Sequence, residues 1–116
     1  MKIIVLGSGM MGRSIAFDLC KYSNFDGITL ADRDKKTIQS AKSFLKNKNI
    51  DFSNIDINVT NDVKKHFQNV DVAISAVPYQ FNYALAKIAA ETKTHFLDLE
   101  LSDFFYFFHI FFRKGP

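Results

Sequence analysis

Residues 2–12 read KIIVLGSGMMG, and RSIAFDLCKY carries the chain on to Tyr22. KIIVL is a continuous, largely β-branched run, the pattern of a strand buried on both faces. Gly7, Gly9 and Gly12 then stand at G-x-G-x-x-G spacing. From Met10 to Tyr22 the apolar residues Met11, Ile15, Ala16, Leu19 and Cys20 fall on one helical face. A buried strand running through such glycines into a helix is the context that gives the spacing a meaning. Gly7 can make the tight turn, Gly9 lets an anionic group approach the backbone, and Gly12 lets the helix pack closely on the strand. The helix start adds free N–H groups and a positive dipole end, so the stretch predicts a phosphate cradle.

Outward from this unit, strand and helix signals alternate. Residues 24–27 (NFDG) mark a turn, and 28–32 (ITLAD) read as a second strand. Asp34 is placed to cap a helix in which Ile38, Ala41 and Leu45 recur at helical spacing. Residues 54–59 (NIDINV) predict a third strand, and a short helix with Val63 and Phe67 on one side follows Asn61. Residues 70–77 (VDVAISAV) predict a fourth strand, ended by Pro78. Phe81, Ala84, Leu85, Ile88 and Ala89 trace an amphipathic helix, and 94–99 (THFLDL) a fifth strand. The expected fold is α/β: a Rossmann-type parallel sheet of about five strands with helices on both faces, over residues 1–99.

An acidic residue at the end of the second strand, about 20 positions past the glycines, is the next requirement for a dinucleotide site. Asp32 stands there, 20 residues beyond Gly12. Its carboxylate can accept both hydroxyls of an adenosine ribose and repel a 2′-phosphate, unless it serves only to cap or turn the chain. Arg33, with Lys35 and Lys36 nearby, argues for a 2′-phosphate instead. NAD is favoured, with NADP as the alternative. Arg13 stands either beside the pyrophosphate or in water. Ser75 and the backbone from Ala76 to Pro78 lie where a nicotinamide ribose would rest, unless they form a plain strand-to-helix turn.

Composition sets bounds. The 116 residues make one domain, able to bury roughly 65% of the unfolded surface. The net charge of +3 permits anionic partners without requiring them. Five lysines, Lys35, Lys36, Lys42, Lys46 and Lys48, fall along one predicted helix as a solvated face without interleaved aromatics, so no nucleic-acid partner is expected. The single Cys20 excludes an internal disulfide, and its spacing from Ala16 predicts a small buried residue. No apolar run reaches the ~20 residues a membrane-spanning helix needs. No signal peptide is read, and the expected location is the cytoplasm. His66, His95 and His109 are scattered along the chain. They form neither a metal-binding spacing nor a nucleophile–base set, so no catalytic residue and no metal ligand is assigned.

GSGMMGRSIAFDL together with DVAISAVPYQFNYALAKIAAETKTHFLDL resembles the NAD(P)-binding domain of the saccharopine dehydrogenase family, over about residues 1–99. That family includes lysine 6-dehydrogenase-like and carboxynorspermidine dehydrogenase-like enzymes. The resemblance implies that Gly7, Gly9, Met10, Met11 and Gly12 hold the pyrophosphate, and Asp32 and Arg33 the adenosine ribose. It sets Asn58 and Val59 beside the adenine, although family members often carry aspartate where Asn58 stands. Ser75, Ala76, Val77 and Pro78 would face the nicotinamide half. Asp98 would lie near the substrate cleft or end its strand as a turn residue. The implied reaction is hydride exchange with a carbon bearing nitrogen in an amino-acid-derived substrate, such as lysine metabolism uses.

Family members usually continue into a substrate domain of some hundreds of residues. Here 100–116 form an aromatic tail, with six phenylalanines between Phe104 and Phe112. The tail is read as the end of a shortened or frame-shifted version of a longer enzyme, or of a gene fragment. Alternatively it adds a strand or helix over the sheet edge, or pairs two chains as a homodimer. Little or no turnover is expected of the 116 residues alone. A stand-alone dinucleotide-sensing module, like the regulatory domains of potassium-uptake systems, and a remnant that no longer binds are the other readings.

Overall fold

Ile3 and Val5 of β1 (Lys2–Leu6) point to one side of a sheet, and Ile4 and Leu6 to the other. All four are buried, because the strand is the middle of five and is covered on both faces. The computed structural model describes residues 1–46 and 48–98. The expectations for the aromatic tail and for Leu99 fall on 99–116, outside the described residues.

The other strands are β2 (Gly27–Asp32), β3 (Asp51–Asn54), β4 (Val72–Ser75) and β5 (His95–Asp98). All pairings are parallel, in the order β3-β2-β1-β4-β5. Helices α1 (Met10–Tyr22) and α2 (Lys35–Phe44) supply Ala16 and Ala41 to the core on the Ile3/Val5 side. Helices α3 (Thr60–Phe67) and α4 (Asn82–Glu91) bring Val63, Phe67, Leu85, Ile88 and Ala89 against Ile4, Leu6, Ala73 and Phe96 on the other side. This is the expected Rossmann-like architecture. The strand order reverses between β1 and β4, the place where such sheets open a ligand crevice at their carboxyl ends.

Several boundaries differ from the sequence reading. The third strand is Asp51–Asn54, paired with Thr29–Asp32, and not 54–59. As an edge strand it is only half covered, so DFSN shows little apolar pattern. The alternation of Ile55 and Ile57 has another cause: both residues plug the α3/α4 core just beyond the strand's end. Asn58 and Val59 thus sit in a turn in which the Asn58 amide donates to Asp56 Oδ1 at 2.9 Å. β4 stops at Ser75, two residues before the predicted end. Met11 and Ala84 face outward, and Cys20 is only half-buried.

Among the described residues no helix is long and apolar enough to cross a membrane.

Candidate functional site

Three backbone ties shape the carboxyl end of the sheet. The Gly7 amide donates to the Ala31 carbonyl at 2.7 Å, the Ala76 amide to the Leu6 carbonyl at 2.7 Å, and the Ile55 amide to the Asp32 carbonyl at 2.9 Å. They draw the loops after β1, β2, β3 and β4 around one cleft of about 310 Å³. Gly7, Gly9, Asp32, Arg33, Asn58, Ala76, Val77 and Pro78 line it, so most of the residues singled out from sequence are brought together. Ala31, Ile55, Ile57 and Phe81 complete the walls and were not foreseen. Met10, Met11, Gly12, Val59 and Ser75 do not line it.

The glycines divide the work. Gly7 has φ +99°, and a Cβ there would lie 2.7 Å from the Ala76 carbonyl oxygen, so both conformation and space demand glycine. A Cβ at Gly12 would lie 1.7 Å from the Gly7 carbonyl oxygen, so α1 packs directly on the loop. A Cβ at Gly9 meets nothing within 4 Å. Gly9 is also the N-cap of α1 and uses no side-chain cap, and no acidic residue stands in the first turn. The amides of Met10, Met11 and Gly12 accordingly have no hydrogen-bond partner among the described residues. An open helix start with unspent donors fits a pyrophosphate. Met10 and Met11 contribute their backbone only, since their side chains are 72% and 40% exposed.

Asp32 is held from three directions. Its Oδ2 accepts from the Ser8 amide at 2.7 Å and the Ser8 hydroxyl at 2.9 Å, and its Oδ1 from the Asp34 amide at 2.9 Å. A carboxylate offers about four acceptor positions, which leaves room for a ribose hydroxyl. Asn54 Nδ2 braces the same turn, donating to the carbonyls of Asp32 at 3.0 Å and Arg33 at 2.8 Å. The Arg33 guanidinium makes no hydrogen bond or ion pair among the described residues and borders the cleft.

Asp34 caps α2 as expected. The Thr37 hydroxyl at 3.0 Å and the Lys36 amide at 2.9 Å hold its carboxyl below the ordinary aspartate value.

Arg13 lies against the glycine loop rather than extending into water. It folds back, donating from Nε at 3.2 Å and Nη2 at 3.1 Å to the Ser8 carbonyl, and from Nη1 at 3.0 Å to Ser40 Oγ. Its guanidinium also lies over the Phe44 ring. Ser8 is therefore gripped at its amide, hydroxyl and carbonyl, and is fully buried. Aromatic rings do accompany the lysines on this face: Lys48 lies 4.7 Å from the centre of the Phe17 ring and Lys42 5.7 Å from that of Phe52. Lysine stems over partly covered rings are a common way to shield apolar surface.

Residues 3–109 match the family of the saccharopine dehydrogenase NADP-binding domain. The chain belongs to that family. It is thus a nicotinamide-dinucleotide-binding domain of the saccharopine dehydrogenase-like oxidoreductases, and the match reaches ten residues past the expected boundary at 99.

Solved structures share the fold of this saccharopine dehydrogenase-type domain. The apo saccharopine dehydrogenase (L-Glu forming) of Saccharomyces cerevisiae is 23% identical, with a TM-score of 0.70 over 88% of this chain and 22% of its own. Pen from Bacillus thuringiensis is 14% identical, with a TM-score of 0.74 over 84% of this chain and 36% of its own. A wide-type short-chain dehydrogenase/reductase of Veillonella parvula, solved in complex with NADP, is 12% identical. Its TM-score is 0.68, over 87% of this chain and 48% of its own. The chain thus spans between 22% and 48% of the length of these proteins.

Proposed function

We propose that the cleft between the Gly7–Gly12 loop, Asp32 and the Ala76–Pro78 turn binds NAD, with the pyrophosphate on the amides of Met10, Met11 and Gly12. The observation that carries this reading is the open start of α1: Gly9 faces empty space beside donors without acceptors among the described residues. The adenosine ribose then meets Asp32 and Arg33, with Asn58 at the adenine side, and the nicotinamide half lies along Ala76, Val77 and Pro78. Val59 contributes at most its backbone, and Ser75 acts from behind the wall. The Asp32 charge at the rim disfavours a 2′-phosphate. Arg33, with its guanidinium uncommitted among the described residues, is the route by which NADP would be accepted.

The activity is hydride transfer to or from a carbon bearing nitrogen in an amino-acid-derived substrate, and the bound nicotinamide supplies the hydride chemistry. This chain's residues bind and orient that cofactor, and residues 1–99 form the unit that does so. The assembly and the cellular location that go with this reading are a soluble cytoplasmic protein whose aromatic tail is available to pair two copies. Calorimetric titration of the 116-residue chain with NAD⁺ and with NADP⁺ tests the cofactor reading. Saturable binding, tighter for NAD⁺, supports it, and no heat from either contradicts it.

A further inference from the structure

Ser75 ends β4 with its side chain fully buried, while Asn82, the first residue of α4, is 7% exposed. The Ser75 hydroxyl donates to Asn82 Oδ1 at 2.6 Å. Between them lie Ala76, Val77 and Pro78, then the 3₁₀ turn Tyr79–Phe81. Four residues of this segment, Ala76, Val77, Pro78 and Phe81, line the cleft. Backbone bonds also hold the segment, from the Ala76 amide to the Leu6 carbonyl, the Phe81 amide to the Pro78 carbonyl at 3.1 Å and the Asn82 amide to the Tyr79 carbonyl, and Val77 and Phe81 pack against the α3/α4 core. The buried Ser75–Asn82 bond therefore closes a six-residue arch across its base. It does so inside the fold, where a polar pair is costly to leave unmade. The bond is not a helix cap, since α4 starts without a side-chain cap.

The arch abuts the glycine loop: the Ala76 carbonyl lies so close to Gly7 that a Cβ there could not be placed. Its position fixes the width of the cleft on the β4 side, whereas Asp32, Arg33 and Asn58 border it on the β2–β3 side. We infer that Ser75 and Asn82 are a positioning pair that sets the nicotinamide-side wall of the site without touching the cofactor. The inference rests on the dinucleotide reading above. It assigns Ser75 a role behind the wall and gives Asn82 a role of its own.

The test compares two probes on the 116-residue chain by calorimetry: NAD⁺, which spans the cleft, and ADP, which reaches only the adenosine and phosphate part. Ser75→Ala deletes one oxygen and Asn82→Ala removes the acceptor. Each variant is predicted to weaken NAD⁺ about tenfold, a change of about 1.4 kcal/mol, while ADP stays within about twofold of the parent. The double variant is predicted to lose no more than either single one, because both remove the same bond. If Asn82→Ala does not melt cooperatively, Ser75→Ala alone carries the comparison. Unchanged NAD⁺ affinity, or equal losses for NAD⁺ and ADP, overturns the positioning role while leaving the cofactor reading intact. A parent chain that binds neither probe overturns both.

Discussion

Ser8 and Asp32 are joined twice, since both the amide and the hydroxyl of Ser8 donate to the same carboxylate oxygen, at 2.7 and 2.9 Å. The glycine loop after β1 and the acidic end of β2 are thus one rigid unit before any ligand arrives. Such preorganisation lowers the ordering cost of binding. Ser8→Ala keeps the amide bond and removes the hydroxyl bond to a charged acceptor, so the chain is predicted to lose about 1.5 kcal/mol of stability. Urea unfolding of the two chains measures this. An unchanged midpoint would show that the second bond adds nothing.

Cofactor choice depends on charge at the rim. Asp32→Asn keeps one oxygen acceptor and removes the negative charge, so the NADP⁺ to NAD⁺ affinity ratio is predicted to rise on the order of tenfold. Arg33→Ala is predicted to lower the same ratio, because the Arg33 guanidinium borders the cleft and is uncommitted among the described residues. Parallel titrations with both dinucleotides give the ratio directly.

Gly12 and Phe67 test the two halves of the scaffold. A methyl group at Gly12 would overlap the Gly7 carbonyl at 1.7 Å, so Gly12→Ala must displace α1 from β1. Its predicted cost is about 3 kcal/mol, at the upper end of overpacking effects. Phe67 is fully buried in the α3/α4 core, and Phe67→Ala is predicted to cost about 3–5 kcal/mol. For a domain of this size each kcal/mol lowers the melting temperature by about 4–8 °C, so calorimetry resolves both. A stable Gly12→Ala chain would mean that the close approach of loop and helix is not required.

Asp34 gives a dependence on pH. The Thr37 and Lys36 hydrogen bonds hold its carboxyl below the ordinary 3.8 in the folded chain. A depressed aspartate stabilises the fold fully above its unfolded value, and that contribution fades as pH falls through the folded one. Stability from this cap should therefore be constant at neutral pH and decline only below about pH 4. Carboxyl NMR titration is predicted to place Asp34 below exposed aspartates. In Thr37→Val its value should move back toward theirs.

The sheet and the glycine loop were legible because their signals are local and strong: a buried strand, three spaced glycines and helices with clear apolar faces. Helix α1 begins and ends at the residues its pattern indicates, Met10 and Tyr22. The third strand was misplaced because an edge strand such as Asp51–Asn54 carries little hydrophobic pattern. The alternation of Ile55 and Ile57 reports burial at the end of a strand instead. Within the site, Gly7, Gly9 and Asp32 could be read from spacing. Ser8, Asn54 and Asn82 could not, because each acts through a hydrogen bond to a residue at least seven positions away. Arg13 was ambiguous because one of its partners, Ser40, lies 27 positions away on α2.

The most direct test of the central claim uses Gly9, where a side chain would enter open space and the backbone φ of −69° suits any residue. Melting temperatures of the parent chain and of Gly9→Val are compared without ligand, with NAD⁺ and with NADP⁺. The two chains are predicted to melt within a few degrees of each other when free. Ligand at 100 times its dissociation constant adds about 2.7 kcal/mol, a rise of roughly 10 °C or more for the parent at about 4–8 °C per kcal/mol. Gly9→Val is predicted to show no rise, because its side chain occupies the approach to the free amides of α1. An equal rise in both chains would place the dinucleotide elsewhere, and no rise in the parent would contradict the account.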